Sequence, residues 1–233
     1  MTCDGCIRSR IGAALLALAA LASPGARAQS FCSSDGQTQP ARVLERFTSA
    51  DCESCWAEGA VRAEPDELAL DWIVPSGKGD EAPLSAAASA DATVRLASLP
   101  RSAPAAADTV RRLVQSPKRG LRVSHGLPFN GYLGTSIELK SPRSERWTAW
   151  LLLVETIPAG SDGTPIERNL VRNALQLAWP AGASQARLFE SRSMSIPSGA
   201  RPERLRLVGW MEDGRGRMRA IAQSRCASTA AGG

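Results

Sequence analysis

In "RVLERFT" (42–48) apolar and polar residues alternate, with Val43 and Phe47 framing a β-like run. "ELALDWIVP" (67–75) then keeps Leu68, Leu70, Trp72 and Val74 on one side at a period of two, the spacing of a strand with one buried face. Between them, Ala57 to Val61 reads as a short helix ended by Pro65. The Ala-rich "LSAAASADATVRLASL" (84–99) predicts another helix. After the linker-like "SLPRSAPAAAD", Asp108 is placed to cap a helix running to Gln115, with Arg111 and Arg112 suited to its negative end. From Leu121 onward the pattern becomes seven short runs rich in β-forming residues: "LRVSHGL", "YLGTSIELK", "RWTAWLLLVETI", "LVRNALQLAW", "QARLFESRSM", "ERLRLVGWME" and "RMRAIAQSR". Turn chemistry separates them as in a small sandwich, and Asp213-Gly214 is a hairpin signal. The patterning therefore predicts an α+β chain with an α/β front half and a β-rich, sandwich-like back half. Trp147, Trp150, Trp179 and Trp210 all fall in the back half and are assigned to its core.

The first thirty residues stand apart from this pattern. Arg8 and Arg10 precede an apolar run from Ile11 to Ala22, and Ala26-Arg27-Ala28 has the small-x-small form of a cleavage site. These are the three parts of a secretory signal peptide, with cleavage expected after Ala28. The apolar run is shorter than the ~20 residues a spanning helix needs, and no later segment approaches that length. The expected organisation is 1–28 signal peptide, 29–118 front domain and 119–233 β-rich domain, delivered to the periplasm or secreted. A net charge of +5, carried by scattered arginines, does not argue for nucleic acid.

Removal of the signal leaves Cys32, Cys52, Cys55 and Cys226. In an exported chain an even number is normally paired, and the proximity of Cys52 to Cys55 leaves Cys32 near one end to bond Cys226 near the other. Free or swapped thiols are the alternative. The pair in "FTSADCESCW" follows a strand and opens a helix. Unpaired N–H groups at a helix start favour a thiolate at Cys52, the attacking sulfur, and place Cys55 one turn inside to resolve a mixed disulfide. Asp51 and Glu53 put negative charge beside Cys52 and oppose that thiolate.

The run "VLERFTSADCESCW" is similar to the start of a bacterial secreted, thioredoxin-like family of unknown function, whose members show a strand, Phe-Thr-Ser, a turn and a Cys-x-x-Cys pair. "IERNLVRNALQLAW" resembles that family's Asn-x-Val-Arg segment, and "LRLVGWMEDGRGRMRAIAQ" its closing hairpin. The resemblance runs from about Arg42 to Gln223 and implies a thioredoxin-like domain with an appended β domain, export, and no established substrate. The chain departs from the family in having Trp56 and Ala57 where two prolines follow the pair. It also lacks a Thr-Pro strand that would supply a cis-proline facing the cysteines, for which Pro100 and Pro128 are the nearest candidates.

Other chemistry is sparse. His125 stands alone without zinc-ligand spacing or a nucleophile elbow and reads as a solvated loop residue. Glu167, Arg168 and Arg172 read as a structural ion-pair cluster. No metal or cofactor is expected. Two functions remain: thiol-disulfide exchange by Cys52 and Cys55 with an unknown periplasmic thiol or disulfide partner, or a non-enzymatic binding or assembly role in which that pair is a structural disulfide.

Overall fold

The computed structural model describes residues 32–226 apart from 59, 116, 118–119, 141–144 and 182–186, so the expected signal segment and its expected cleavage point lie outside the described residues. Along the chain run β1 (Cys32–Ser33), β2 (Arg42–Ser49), α1 (Glu53–Ala57), β3 (Glu67–Val74), α2 (Ala90–Ser98), β4 (Ala107–Leu113), β5 (Leu121–His125), β6 (Tyr132–Lys140), β7 (Trp147–Ile157), β8 (Arg168–Trp179), β9 (Arg187–Ser195), β10 (Leu205–Asp213), β11 (Met218–Gln223) and β12 (Arg225–Cys226). Five strands form one sheet in the order β12-β1-β5-β6-β9, and seven form another in the order β11-β10-β7-β8-β3-β2-β4.

This architecture corrects the expected fold class. The described chain is mostly β and sandwich-like, not an α+β thioredoxin-like domain beside a separate β-rich one. β2, β3 and β4 from the front half hydrogen-bond into the same seven-stranded sheet as β7, β8, β10 and β11. The segment expected as a helix from Asp108 to Gln115 is strand β4, paired antiparallel with β2 from Arg42↔Leu113 to Thr48↔Ala107. Its Val110, Arg111 and Arg112 alternate against that neighbour, so tertiary pairing overrides the capping signal at Asp108. The first short helix lies earlier than expected, over Glu53–Ala57, and the Ala-rich run yields a true helix only in α2, capped by Ser89, whose hydroxyl accepts from the Asp91 N–H at 3.1 Å. The seven β-forming runs each produce a strand.

Alternation along β7 and β10 explains why one sheet serves two cores. Trp147, Ala149, Leu151 and Leu153 on β7, with Leu205, Leu207 and Met211 on β10, face the five-stranded sheet and pack on Val123, Leu133 and Ile137. Trp150, Leu152 and Val154, with Val208 and Trp210, face the other way and meet Val43, Phe47, Leu70 and Trp72 of β2 and β3 and Ala92 and Leu96 of α2. Glycine at 209 lets the two sheets close: a Cβ there would lie 2.6 Å from Val123 Cγ1 and 3.1 Å from Ile137 Cδ1.

The seven-stranded sheet curls so far that its edges meet. Just past β4, the Gln115 N–H donates to the Met218 carbonyl at 2.8 Å, and Arg112 donates to the Gly216 carbonyl at 2.6 Å. α2 lies on the concave face, where Arg95 carries a charge into the core. Its Nε and one terminal nitrogen form a bidentate pair with Glu45 at 2.7 and 2.6 Å, its other terminal nitrogen reaches Glu212 at 3.2 Å, and its guanidinium lies over the rings of Trp150 and Trp210. Glu212 also accepts from Arg112 and from Trp210 Nε1. Both carboxylates are thereby hydrogen-bonded, the condition under which buried charge is tolerated.

Candidate functional site

β2 and β3 run parallel, in register from Arg42↔Glu67 to Ser49↔Val74, and α1 is the crossover between them. The turn that leaves β2 is closed by the Cys52 N–H donating to the Ser49 carbonyl at 3.0 Å, so the cysteines lie at the carboxyl end of two parallel strands. Cys52 occupies the N-cap position of α1 and is bonded to Cys55. Both are half-buried. α1 is only five residues long, so the field at Cys52 comes from first-turn N–H groups, with Glu53 in the same turn opposing it. Asp51, the other flanking acid, is partly offset, since it accepts from the Ser76 hydroxyl at 3.0 Å and pairs with Lys78 at 3.5 Å.

Beneath the pair lies a network that the chain pattern did not reveal. The Asp71 carboxylate on β3 is buried between two arginines, accepting from Arg46 at 2.6 Å and from Arg168 at 3.1 Å. It also accepts from the Asn169 backbone N–H at 2.9 Å, and the Asn169 side chain donates to the Ala69 carbonyl at 3.0 Å. The ladder between β3 and β8 has a single paired step, Asp71↔Leu170, so these side chains stitch the seam where the strands of the two halves join. Arg168 then reaches out of the sheet to α1, donating to the carbonyls of Trp56 at 2.7 Å and Cys55 at 3.3 Å while lying 4.7 Å over the Trp56 ring. Burial pulls the Arg168 guanidinium below the ordinary arginine range, and the Asp71 carboxylate pushes it back. Trp56 Nε1 donates to the Asp162 carbonyl at 2.9 Å. Trp56, which stands where the resembled family has proline, is thus the anchor of α1.

A cleft of about 320 Å³ opens beside Cys55. Thr48, Ser54, Val61, Ala107 and Thr109 line it. The backbone that comes up against the end of β2 is Ala106-Ala107, with the Ser49 N–H donating to the Ala106 carbonyl at 2.8 Å. Among the described residues there is no cis peptide bond, so neither Pro100 nor Pro128 supplies the facing cis-proline.

The other expected site residues are placed elsewhere. Cys32 and Cys226 are bonded to each other across adjacent strands β1 and β12. His125 is not a solvated loop residue: it ends β5, is 4 % exposed, and sits directly opposite Cys32 in the ladder. Burial lowers its pKa from the ordinary histidine value, against the opposing effect of the Gly126 carbonyl. The expected Glu167-Arg168-Arg172 cluster does not form, because Arg168 pairs with Asp71 and Arg172 with Glu155. Asp71 and Arg46 were the residues missed, and their signal was a lone acid within "LALDWIV" and a lone base within "VLERFT".

No protein-family model, curated protein or solved structure matches this chain.

Proposed function

We propose that the chain is an exported thiol-disulfide exchange protein working through Cys52 and Cys55. The observation that carries this reading is the placement of the 52–55 bond: half-exposed, at the carboxyl end of two parallel strands, with a cleft of about 320 Å³ beside Cys55. The pair sits on a helix fixed from below by Arg168 and Trp56, so bond exchange leaves its support in place. The resemblance of "VLERFTSADCESCW" to the start of a secreted thioredoxin-like family of unknown function, with its Cys-x-x-Cys pair, is compatible with the same chemistry, as is the signal-like start of the chain.

In the reducing direction the Cys52 thiolate attacks one sulfur of a partner disulfide, and the other partner sulfur leaves as a thiolate. The Cys55 thiolate then attacks the Cys52 sulfur, forming the 52–55 bond and releasing the second partner thiolate. Two electrons pass to the partner. The reverse sequence oxidises a partner dithiol.

Equilibration of the protein against a graded glutathione couple, with thiol alkylation and mass measurement of the 52–55 peptide, tests this. A potential between about −120 and −270 mV, the range of redox enzymes, is the expected result. A value below about −300 mV marks a permanent staple and favours the binding or assembly role instead.

A further inference from the structure

Three potential ligand groups lie in one row across the five-stranded sheet. Cys226 on β12 faces Cys32 on β1, and Cys32 faces His125 on β5, each directly opposite the next in the antiparallel ladder. Directly opposed residues project from the same face of a sheet. The two sulfurs and a ring nitrogen of His125 accordingly lie within 4.8 Å of one another. The histidine is held for this. Its Nδ1 meets the Gly126 carbonyl at 2.9 Å, which makes that nitrogen the N–H donor and leaves Nε2 with its lone pair free. Nε2 is buried and has no hydrogen-bond partner. A buried nitrogen without a partner is costly, and core packing alone gives no reason for histidine here where Leu121 and Val123 precede it on the same face.

The geometry points to a redox-gated zinc site formed by Cys32, Cys226 and His125, open only when the bond between the two cysteines is reduced. A dithiol reductant supplies two electrons and two protons to the 32–226 bond, giving two thiols and leaving the reductant as its own disulfide. Zinc then binds both sulfurs as thiolates and His125 through Nε2, releasing the two thiol protons. Two thiolates and one imidazole are a ligand set that zinc favours, with water in the fourth tetrahedral position. Two sulfurs on one zinc sit roughly 3.7 Å apart, as follows from tetrahedral bonds of about 2.3 Å, so the cysteines must separate once released. Cys226 can yield: β12 is a two-residue edge strand and Cys226 is exposed, lining an open cleft of about 850 Å³ that also provides the entry path. The Gly126 carbonyl on Nδ1 is the outer partner that orients a metal-bound histidine. This inference does not depend on the 52–55 pair.

The test uses the full chain carrying Cys3→Ser, Cys6→Ser, Cys52→Ser and Cys55→Ser, so that only the terminal pair can supply sulfur. After reduction with a phosphine, titration with Co2+ is expected to give one tetrahedral cobalt per chain with a thiolate charge-transfer band, displaced by Zn2+. His125→Ala should weaken zinc binding by about tenfold or more, the size of loss that disturbing a ligand's surroundings already brings, and His125→Cys should retain it. Should reduction alone abolish the near-ultraviolet dichroism of the tryptophans, zinc must restore it. The inference is overturned by equal metal binding in the oxidised chain, by binding indifferent to His125→Ala, by no binding at all after reduction, or by tryptophan dichroism that zinc does not recover.

Discussion

Replacement of Arg95 by methionine removes the cation that pairs with both Glu45 and Glu212 in the concave core. Its side chain is fully buried, as is that of Glu45, and the Glu212 side chain is 10 % exposed. Methionine keeps the stem but leaves Glu45 charged and unpaired in an apolar site, while Glu212 keeps Arg112 and Trp210 Nε1. Breaking a buried pair in this way costs about 3–5 kcal/mol, a large share of the 5–15 kcal/mol that holds a typical domain. The loss is pH-dependent. In the native chain burial would raise the Glu212 carboxyl, but Arg95 and Arg112 hold it below the ordinary value, so its contribution is complete above about pH 4.3 and is lost only as pH falls through the lower folded value. Urea unfolding followed by tryptophan fluorescence should therefore show a gap of about 3–5 kcal/mol between native and Arg95→Met chains at pH 7, shrinking only below about pH 4.3 as the native chain loses the Glu212 contribution. Adding Glu45→Gln to Arg95→Met should recover part of the loss. A gap below about 1 kcal/mol at pH 7 refutes the reasoning.

Loss of the terminal disulfide in a Cys32→Ser, Cys226→Ser chain, whose partners are 194 residues apart, should lower the unfolding free energy by about 5 kcal/mol in the chain-entropy account, read from the denaturant midpoint. Gly209→Ala drives a methyl into Val123 and Ile137 and should cost about 1–3 kcal/mol by the same measurement; an unchanged midpoint would show that the sheets part freely. Asp213 is a third case. Burial would raise its carboxyl, but hydrogen bonds from Arg217 and Arg219 and from the backbone N–H groups of Arg217 and Arg215 hold it far below the carboxylate range. Its contribution is present above the unfolded value of about 3.9 and is lost on further acidification, so Asp213→Asn should cost about 1–3 kcal/mol at pH 7 and flatten the acid limb of a stability-pH curve below about pH 4.

The strands of the back half were legible because their apolar residues alternate and glycine, proline or aspartate interrupts them. What the pattern could not show was the company each strand keeps. β4 carries Asp108 at its start and arginines at 111 and 112, which is good chemistry for a helix; only pairing with β2 makes it a strand, and that pairing is non-local. β2 and β3 read correctly as strands, yet their acids and bases were unreadable, because Glu45 finds Arg95 fifty residues on and Asp71 finds Arg168 ninety-seven residues on. His125 had a local signal: Leu121, Val123 and His125 share one face, which places the histidine in the core and not in a loop. The Cys pairs are the opposite case, since Cys32, Cys52, Cys55 and Cys226 allow only three pairings among themselves.

The two disulfides bear on the fold very differently, and the difference bears on function. In the chain-entropy account a bond closing three residues, as 52–55 does, contributes roughly 2 kcal/mol against about 5 kcal/mol for 32–226. α1 does not need its bond for position, because Arg168 holds its carbonyls and is itself tied to β3 by Asp71, and Trp56 is buried and bonded to the Asp162 carbonyl. Opening 52–55 therefore frees two sulfurs without loosening the element that presents them, which is what repeated exchange demands of a redox pair. Opening 32–226 removes the covalent tie between β1 and β12, beside a buried histidine whose Nε2 has no partner, so that bond is suited to a single change of state and not to turnover. A chain whose only purpose for Cys52 and Cys55 was stability would gain little from a bond so short beside an anchor so complete.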